Sequence, residues 1–241
     1  MALKEKREVE IEKYYSHCDS TKSFYIKFLD GKPIEYQAGQ FLIAHIPRGD
    51  EIVKRAYSIA SSPLETQETG LIEICLNRVE LGYVSNWMHD KGHKTRIQVD
   101  GPHGRFIVPE ESNNHLIFCG TGTGISPIRG ILKDFELKNT LKDKEIWLFF
   151  GVRQEADILY HQEFQQWAEQ YPDFHFIPSV SRPHEWKGET GYVQNLVKKY
   201  VHTSNQWNVY ACGLNAMIKD LEGVLLEMGF DKNQLHYDKW G

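Results

Sequence analysis

The chain has 241 residues, of which 41% are hydrophobic and 25% charged, a composition typical of a soluble globular protein with one or two domains. Its formal net charge of -5 argues against nucleic acid as the main partner. The charged N-terminus and the lack of a bilayer-length apolar run predict a cytoplasmic protein without a membrane span.

The first part of the chain predicts a small antiparallel barrel. Turn residues such as Asp30-Gly31-Lys32-Pro33 and Pro47-Arg48-Gly49-Asp50 separate short apolar segments. Six strands at this spacing are typical of such a barrel. Strands are expected at 8–15, 24–29, 40–46, 56–60, 72–78 and 95–99, with one helix at 84–89.

The stretch Arg55-Ala56-Tyr57-Ser58 lies on one of these predicted strands. An arginine there can neutralise a pyrophosphate. Tyr57, two residues on, points to the same side of the strand and offers a flat face to a ring, and Ser58 offers a hydroxyl. The alternative is a surface arginine beside a half-buried tyrosine on an ordinary strand.

A second candidate anion site is the turn Gly82-Tyr83-Val84-Ser85, which leads into the predicted helix. Backbone N–H groups at a helix N-terminus, together with the Ser85 hydroxyl, can hold a phosphate. The alternative is a simple helix cap with Ser85 as the N-cap residue.

The pattern changes after Gly104, and Pro109 with the polar run 110–114 predicts a linker between domains at 1–108 and 109–241. Strands then alternate with helices, which predicts a parallel sheet covered by helices. Strands are expected at 116–119, 146–150, 174–180 and 208–211, and helices at 128–137, 161–171, 193–200 and 216–228.

The first strand of this second half runs into Gly120-Thr121-Gly122-Thr123-Gly124 and then a helix. Strand, glycine turn and helix place a phosphate on a helix N-terminus, and Pro127 suits the first helical turn. The alternative is a plain tight turn. The four cysteines are too widely spaced to predict a metal or iron–sulfur site.

Five motifs together resemble the ferredoxin–NADP+ reductase family. They are RAYSIAS, GYVSNWM, GPHGRF, CGTGTGISPIRGIL and YACGLNAM, and they occur in the family's order. The resemblance implies a six-stranded Greek-key β-barrel that binds FAD, followed by a Rossmann-like parallel-sheet α/β domain that binds NADPH or NADH. It implies a flavoenzyme, expected to be a monomer, that transfers hydride between NAD(P)H and FAD and exchanges electrons with a separate ferredoxin, flavodoxin or oxygenase component.

In the flavin half, the resemblance implies that Arg55 contacts the pyrophosphate, Tyr57 stacks on the isoalloxazine and Ser58 sits by the reactive N5. The turn at 82–85 would hold the pyrophosphate as well. The full set of implied flavin residues is Arg55, Ala56, Tyr57, Ser58, Cys75, Asn77, Gly82, Tyr83, Val84 and Ser85.

In the dinucleotide half, the resemblance implies that Cys212 lies beside the nicotinamide, with Gly213 following it. A small buried hydrophobic residue is the alternative for this cysteine. The terminal aromatic Trp240, or else Tyr237, would cover the flavin, although the tail is more similar to reductase modules of bacterial oxygenases than to plant-type members. The pocket residues implied are Gly120, Thr121, Gly122, Thr123, Gly124, Cys212, Gly213 and Trp240.

For the choice of dinucleotide, the resemblance implies that Ser181, Arg182, Lys187 and Tyr192 contact the 2′-phosphate and adenine of NADPH. No acid directly follows Val180 to bind a ribose 2′-hydroxyl. A solvated polar loop is the alternative, and NADH remains open. Two other functions remain open, an NADH-dependent flavin reductase or oxygenase reductase component, and a non-catalytic dinucleotide-binding subunit.

Overall fold

A computed structural model describes residues 5–32, 34–110, 112 and 114–240, with Trp240 described by its backbone alone. Pro33 of a predicted turn, and Glu111 and Asn113 of the predicted linker, lie outside the described residues. Contacts divide the chain into two units. One runs to Ile107 and includes Arg129–Asp134, and the other comprises Val108–Ile128 and the chain from Phe135 onward.

The first unit is a six-stranded antiparallel sheet, as predicted. The order of its strands is β4-β3-β6-β1-β2-β5, and a bridge between Ile59 and Ile74 joins the end of β4 to the opposite edge strand, β5. The strands are β1 Arg7–Ser16, β2 Thr21–Phe28, β3 Phe41–Arg48, β4 Glu51–Ser58, β5 Ile72–Asn77 and β6 Arg96–His103.

The core of this unit forms because alternate side chains of the strands point inward. Val9 and Ile11 of β1 pack with Phe24 and Ile26 of β2, and all four are fully buried. The helix α2, Tyr83–Lys91, adds Met88 to the same core. With the sheet and α2 fixed by this core, the connecting loops and the N-terminus of α2 lie at the surface, where ligands usually bind.

Two details of the first unit differ from the sequence predictions. The strand expected at 56–60 is β4, which begins at Glu51, because Pro47 and Arg48 extend β3 and leave Gly49, with a φ of 60°, to make the turn. A helix missed by the sequence reading, α1 Pro63–Thr69, is held by a capping box between Ser62 and Glu65.

The second unit is a six-stranded parallel sheet with order β10-β9-β8-β7-β11-β12, which confirms the predicted α/β class. Its strands are β7 His115–Thr121, β8 Ile146–Val152, β9 Phe174–Val180, β10 Glu189–Thr190, β11 Trp207–Leu214 and β12 Leu235–Trp240. Its helices are α3 Ile125–Leu137, α4 His161–Gln170, α5 Val193–Tyr200 and α6 Asn215–Glu227.

The central strands of this sheet are buried along most of their length, because helices cover the sheet. Ile117, Phe149 and Val209 pack under α5 and α6. The two edge strands, β10 and β12, were not among the predicted strands, and β12 is a terminal strand that pairs with β11. No helix within the described part of the chain is long and apolar enough to cross a bilayer.

Candidate functional site

The residues predicted to contact a flavin begin with the end of β4. Tyr57 is half-buried against the core, and burial raises its pKa to about 12. Arg55, two residues earlier, is exposed and donates to the Lys54 carbonyl at 2.7 Å, without an ion-pair partner among the described residues. Ser58 is 6% exposed and Ala56 is exposed. The strand thus supplies a free cation and a ring.

The N-terminus of α2 lies close to this strand. The N-cap is Gly82, not Ser85, and no side chain among the described residues caps the first turn. Ser85 Oγ instead donates to the Gly82 carbonyl at 3.1 Å and accepts from the Val79 N–H at 3.1 Å. Tyr83 Oη donates to the Pro47 carbonyl on β3 at 2.6 Å. First-turn N–H groups without a side-chain cap suit an anion.

The remaining implied flavin residues occupy β5 and α2. Cys75 is buried, and its neighbour Ile74 bridges to Ile59, so Cys75 lies near the end of β4. Asn77 closes β5, is exposed, and accepts a hydrogen bond from Thr21 Oγ1 at 3.4 Å. Val84 is buried in the core of the unit. The structure therefore brings most of the predicted flavin set to one end of the sheet.

The glycine turn follows β7 as predicted. Gly122 has a φ of 54° and open space around it, so only glycine adopts this turn without strain. Thr121 Oγ1 is a buried polar atom that finds no hydrogen-bond partner among the described residues. Residues Gly122–Gly124 form a short 3-10 turn that leads directly into α3. Gly120 and Thr123 complete the turn at the carboxyl end of the sheet.

Cys212 lies directly against this turn. It pairs in register with Gly120 across β7 and β11, and a Cβ on Gly124 would stand 2.2 Å from the Cys212 carbonyl oxygen. Gly213, with a φ of 148°, makes a similarly close approach to Thr121, because a Cβ on Gly213 would fall 2.2 Å from Thr121 Oγ1. The backbone of β11 therefore approaches the turn as closely as the absence of side chains allows.

The thiol of Cys212 is fully buried and neutral. Burial, followed by the charge of Asp238, raises the pKa of Cys212 well above its usual value. Asp238 lies opposite Cys212 in the register of β11 and β12, and burial raises its own pKa. The sequence reading missed this neighbour because only the register of β12 places it there.

The basic residues after β9 form a separate cluster. The Arg182 N–H donates to the Arg153 carbonyl at 2.9 Å, so the two arginines lie side by side at the carboxyl ends of β8 and β9. Arg153, Arg182 and Lys187 are exposed, and none has an ion-pair partner within the described part of the chain. Ser181 Oγ is committed to the Val152 carbonyl at 3.1 Å. The cluster carries free positive charge.

Two aromatic predictions have different outcomes in the structure. Tyr192 is 66% exposed just before α5, so its ring is free to stack. Tyr237 is partly buried and packs against the core under α5 and α6, and its role as a flavin cover stays a prediction. The prediction for Trp240 concerns its side chain, which lies outside the described part of the chain; its backbone pairs with Leu214.

These features fit FAD and a pyridine dinucleotide as ligands. For the flavin pyrophosphate, the first unit offers the free Arg55 cation and the uncapped first turn of α2. For the dinucleotide, the second unit offers the Thr121 hydroxyl, which finds no partner among the described residues, and a glycine turn that leads into α3. Each set lies within one unit.

Two family models match the chain. Residues 8–107 match an oxidoreductase FAD-binding domain, and residues 118–223 match an oxidoreductase NAD-binding domain. Over 221 residues the chain is 30% identical to ferredoxin–NADP reductase B of Sorangium cellulosum, covering 88% of each protein.

Over 214 residues the chain is 29% identical to the phenol hydroxylase P5 protein of Acinetobacter pittii, covering 87% of this chain but 59% of that protein. The fold is similar to that of a ferredoxin–NADP+ reductase from Neisseria gonorrhoeae with bound FAD and NADP. That similarity has a TM-score of 0.84 at 21% identity, and it covers 97% of this chain and 98% of the other.

Proposed function

The chain belongs to the ferredoxin–NADP reductase family of FAD- and NAD-binding oxidoreductases, and we propose that it is a reductase that oxidises NADPH and passes the electrons to a separate acceptor protein. The observation that supports the proposal is that one chain carries features suited to both cofactors, Arg55 with the α2 N-terminus in one unit and the glycine turn with Thr121 in the other. When bound, FAD supplies the redox chemistry by accepting hydride from the nicotinamide and releasing electrons onward.

In the first unit, the residues bind and orient. Arg55 and the first turn of α2 neutralise the flavin pyrophosphate: Arg55 bonds to the Lys54 carbonyl through one guanidinium nitrogen and has no ion-pair partner in the described residues, and the first turn has no side-chain cap there. The Tyr57 ring, fixed by its packing on the core, stacks on the isoalloxazine. Ser58, buried at the end of β4, offers its hydroxyl to the flavin ring.

In the second unit, the turn positions the nicotinamide end of the dinucleotide. Thr121 supplies a hydroxyl that lacks a protein partner, and the Gly124 backbone receives the pyrophosphate. Cys212 contributes a compact neutral thiol that is buried behind the turn, since burial keeps its pKa high, and its backbone fixes the turn that receives the nicotinamide ring.

The cluster after β9 supports NADPH over NADH. A 2′-phosphate needs cations, and Arg182 and Lys187 are both exposed and have no ion-pair partner among the described residues, with Arg153 beside Arg182. Where an NADH enzyme often places an acid to bind the ribose hydroxyl, this chain has Ser181 after Val180. Tyr192 provides a face for the adenine.

The acceptor we propose is a separate ferredoxin, flavodoxin or oxygenase component, and the enzyme is proposed to act in the cytoplasm as a monomer of two domains, 1–108 and 109–241. The relatives' names support this class of acceptor, since one is a ferredoxin–NADP reductase and another a phenol hydroxylase component. The resemblance of the chain's tail to oxygenase reductase modules favours NADH use as the second candidate.

The test is an anaerobic visible spectrum of the purified protein, recorded before and after addition of NADPH or NADH. Bleaching of the flavin band that is faster with NADPH is expected, and faster bleaching with NADH would move the assignment to the oxygenase-reductase class. A colourless protein that takes up no FAD would overturn the proposal and leave a dinucleotide-binding subunit.

The residue-level test is Arg182→Ala. Loss of a charge-assisted bond to the 2′-phosphate should raise the KM for NADPH by about ten- to a hundredfold and leave the KM for NADH unchanged. Lys198→Ala is the matched control, since it removes one exposed cation from α5 of the same unit. Equal losses for both dinucleotides would contradict the 2′-phosphate role.

A further inference from the structure

The segment 181–188 joins β9 to β10 without regular secondary structure, and we call it the basic loop. It carries Arg182 and Lys187, whose charged ends are exposed. An unanchored loop of this kind loses conformational freedom when a ligand orders it, and that loss weakens binding. What holds the loop before a ligand arrives therefore affects how tightly it binds an anion.

The middle of the basic loop is held by Glu155, which lies in the 3-10 turn after β8. Glu155 Oε1 accepts the backbone N–H of His184 at 3.0 Å and that of Glu185 at 3.1 Å. Backbone N–H groups, its own first and those of the loop after it, hold the pKa of Glu155 below its usual value. The carboxylate is therefore an anion at neutral pH, bonded to the loop backbone.

The two ends of the loop are anchored as well. At the start, the Ser181 N–H donates to the Val152 carbonyl at 2.9 Å, and the Arg182 N–H donates to the Arg153 carbonyl at 2.9 Å. At the end, Trp186 Nε1 donates to the Glu189 carbonyl at 2.7 Å. A Cβ on Gly188 would fall 2.5 Å from the Trp186 ring, so that glycine lets the chain pass over the indole.

These anchors bond to the backbone and leave the cations free. The Glu155 carboxylate accepts backbone N–H groups and forms no ion pair with Arg182 or Lys187. Neither of these two cations has an ion-pair partner in the described residues. An acid placed this near an anion site opposes the anion unless its charge is compensated, and the surrounding N–H dipoles provide that compensation.

We propose that Glu155 is a positioning residue for the 2′-phosphate end of the dinucleotide, holding the basic loop in its binding shape before the ligand arrives. The inference rests on the proposed use of NADPH. It adds the residue that holds Arg182 and Lys187 where they can bind the 2′-phosphate. Glu155 does not touch the ligand in this proposal. It acts through the backbone of His184 and Glu185, and a substitution of Glu155 changes the affinity for the 2′-phosphate selectively.

The experiment is a calorimetric titration of the FAD-loaded protein with adenosine 2′,5′-bisphosphate and, separately, with 5′-AMP. Glu155→Ala should weaken binding of the bisphosphate by about five- to tenfold and change binding of 5′-AMP less than about twofold. Glu155→Gln should restore most of the affinity, because its amide oxygen accepts the same N–H groups. Glu169→Ala, which removes an exposed acid from α4, is the matched control and should bind as the wild type does.

Hydrogen exchange supplies a readout that does not depend on the ligand. The amides of His184 and Glu185 should exchange faster in Glu155→Ala than in the wild type, and this measurement also shows whether the rest of the unit stays folded. Unchanged exchange, or bisphosphate affinity equal to that of the wild type, would overturn the role of Glu155 alone. A wild-type protein without preference for the bisphosphate would overturn the proposed cofactor and this inference together.

Discussion

Substitution of Gly124 by alanine tests the close approach of β11 to the glycine turn. The added Cβ would stand 2.2 Å from the Cys212 carbonyl oxygen, 2.7 Å from its carbonyl carbon and 3.1 Å from Gly213 Cα. All three are backbone atoms within a paired strand, so no flexible side chain can move aside. Overpacking usually costs about 1–3 kcal/mol, and a backbone clash places Gly124→Ala at about 3 kcal/mol.

The assay is urea and thermal unfolding of the FAD-loaded protein, followed with a probe of the second unit. A loss of about 3 kcal/mol should lower the midpoint of that unit by roughly 6–12 °C, at about 2–4 °C per kcal/mol. The KM for NADPH should rise as well, because relief of the clash moves the backbone at Cys212.

Gly223→Ala is the matched control. Gly223 is exposed in α6 and has open space around it. The Gly223→Ala protein should therefore be more stable than the wild type by about 0.5–1 kcal/mol in the free energy of unfolding. If Gly124→Ala unfolded at the same midpoint as the wild type, the close approach of β11 to the turn would be disproved.

Three further substitutions or probes examine other parts of the chain. Arg129→Ala removes a guanidinium that lies 2.7 Å from the Glu65 carboxylate and 3.5 Å from the buried Glu73 carboxylate, so urea unfolding should show a loss of about 3–5 kcal/mol in the free energy of unfolding of the first unit. A loss below about 1 kcal/mol would show that the buried carboxylates find other partners. Because burial raises the pKa of Cys212, its thiolate forms only well above neutral pH. Mass spectrometry after treatment with iodoacetamide at about pH 8 should therefore show Cys212 unmodified and Cys18 modified, and rapid modification of Cys212 would refute its burial. Ser58→Ala should retain FAD yet slow its reduction at least about tenfold in stopped-flow absorbance, and an unchanged rate would remove Ser58 from the mechanism.

Local sequence patterns predicted most of the fold correctly. The alternation of strands and helices after residue 108 gave the parallel sheet, and two of its elements, β9 and α5, have the predicted bounds. The comparisons confirm the family implied by the five motifs. The helix α1, which the sequence analysis did not predict, also has a local signal, since Ser62 and Glu65 have the spacing of a capping box.

The candidate site divides in the same way. The sequence by itself determined where the candidate phosphate-binding features lie, because a glycine turn before a helix and an arginine on a strand are local features of the chain. Their motifs, at 55–58, 82–85 and 120–124, lie on the predicted types of element. Local composition also placed Arg182 directly after a strand.

Only the tertiary structure decided which distant residues meet. Gly124 faces the Cys212 carbonyl because β11 inserts beside β7, and Asp238 lies opposite Cys212 because β12 pairs in one register. Glu155 accepts the backbone N–H groups of His184 and Glu185, which lie about thirty residues later in the chain, at a separation that no periodicity encodes. Strand order and register set these contacts, and both depend on the packing of the whole sheet rather than on any segment of the sequence.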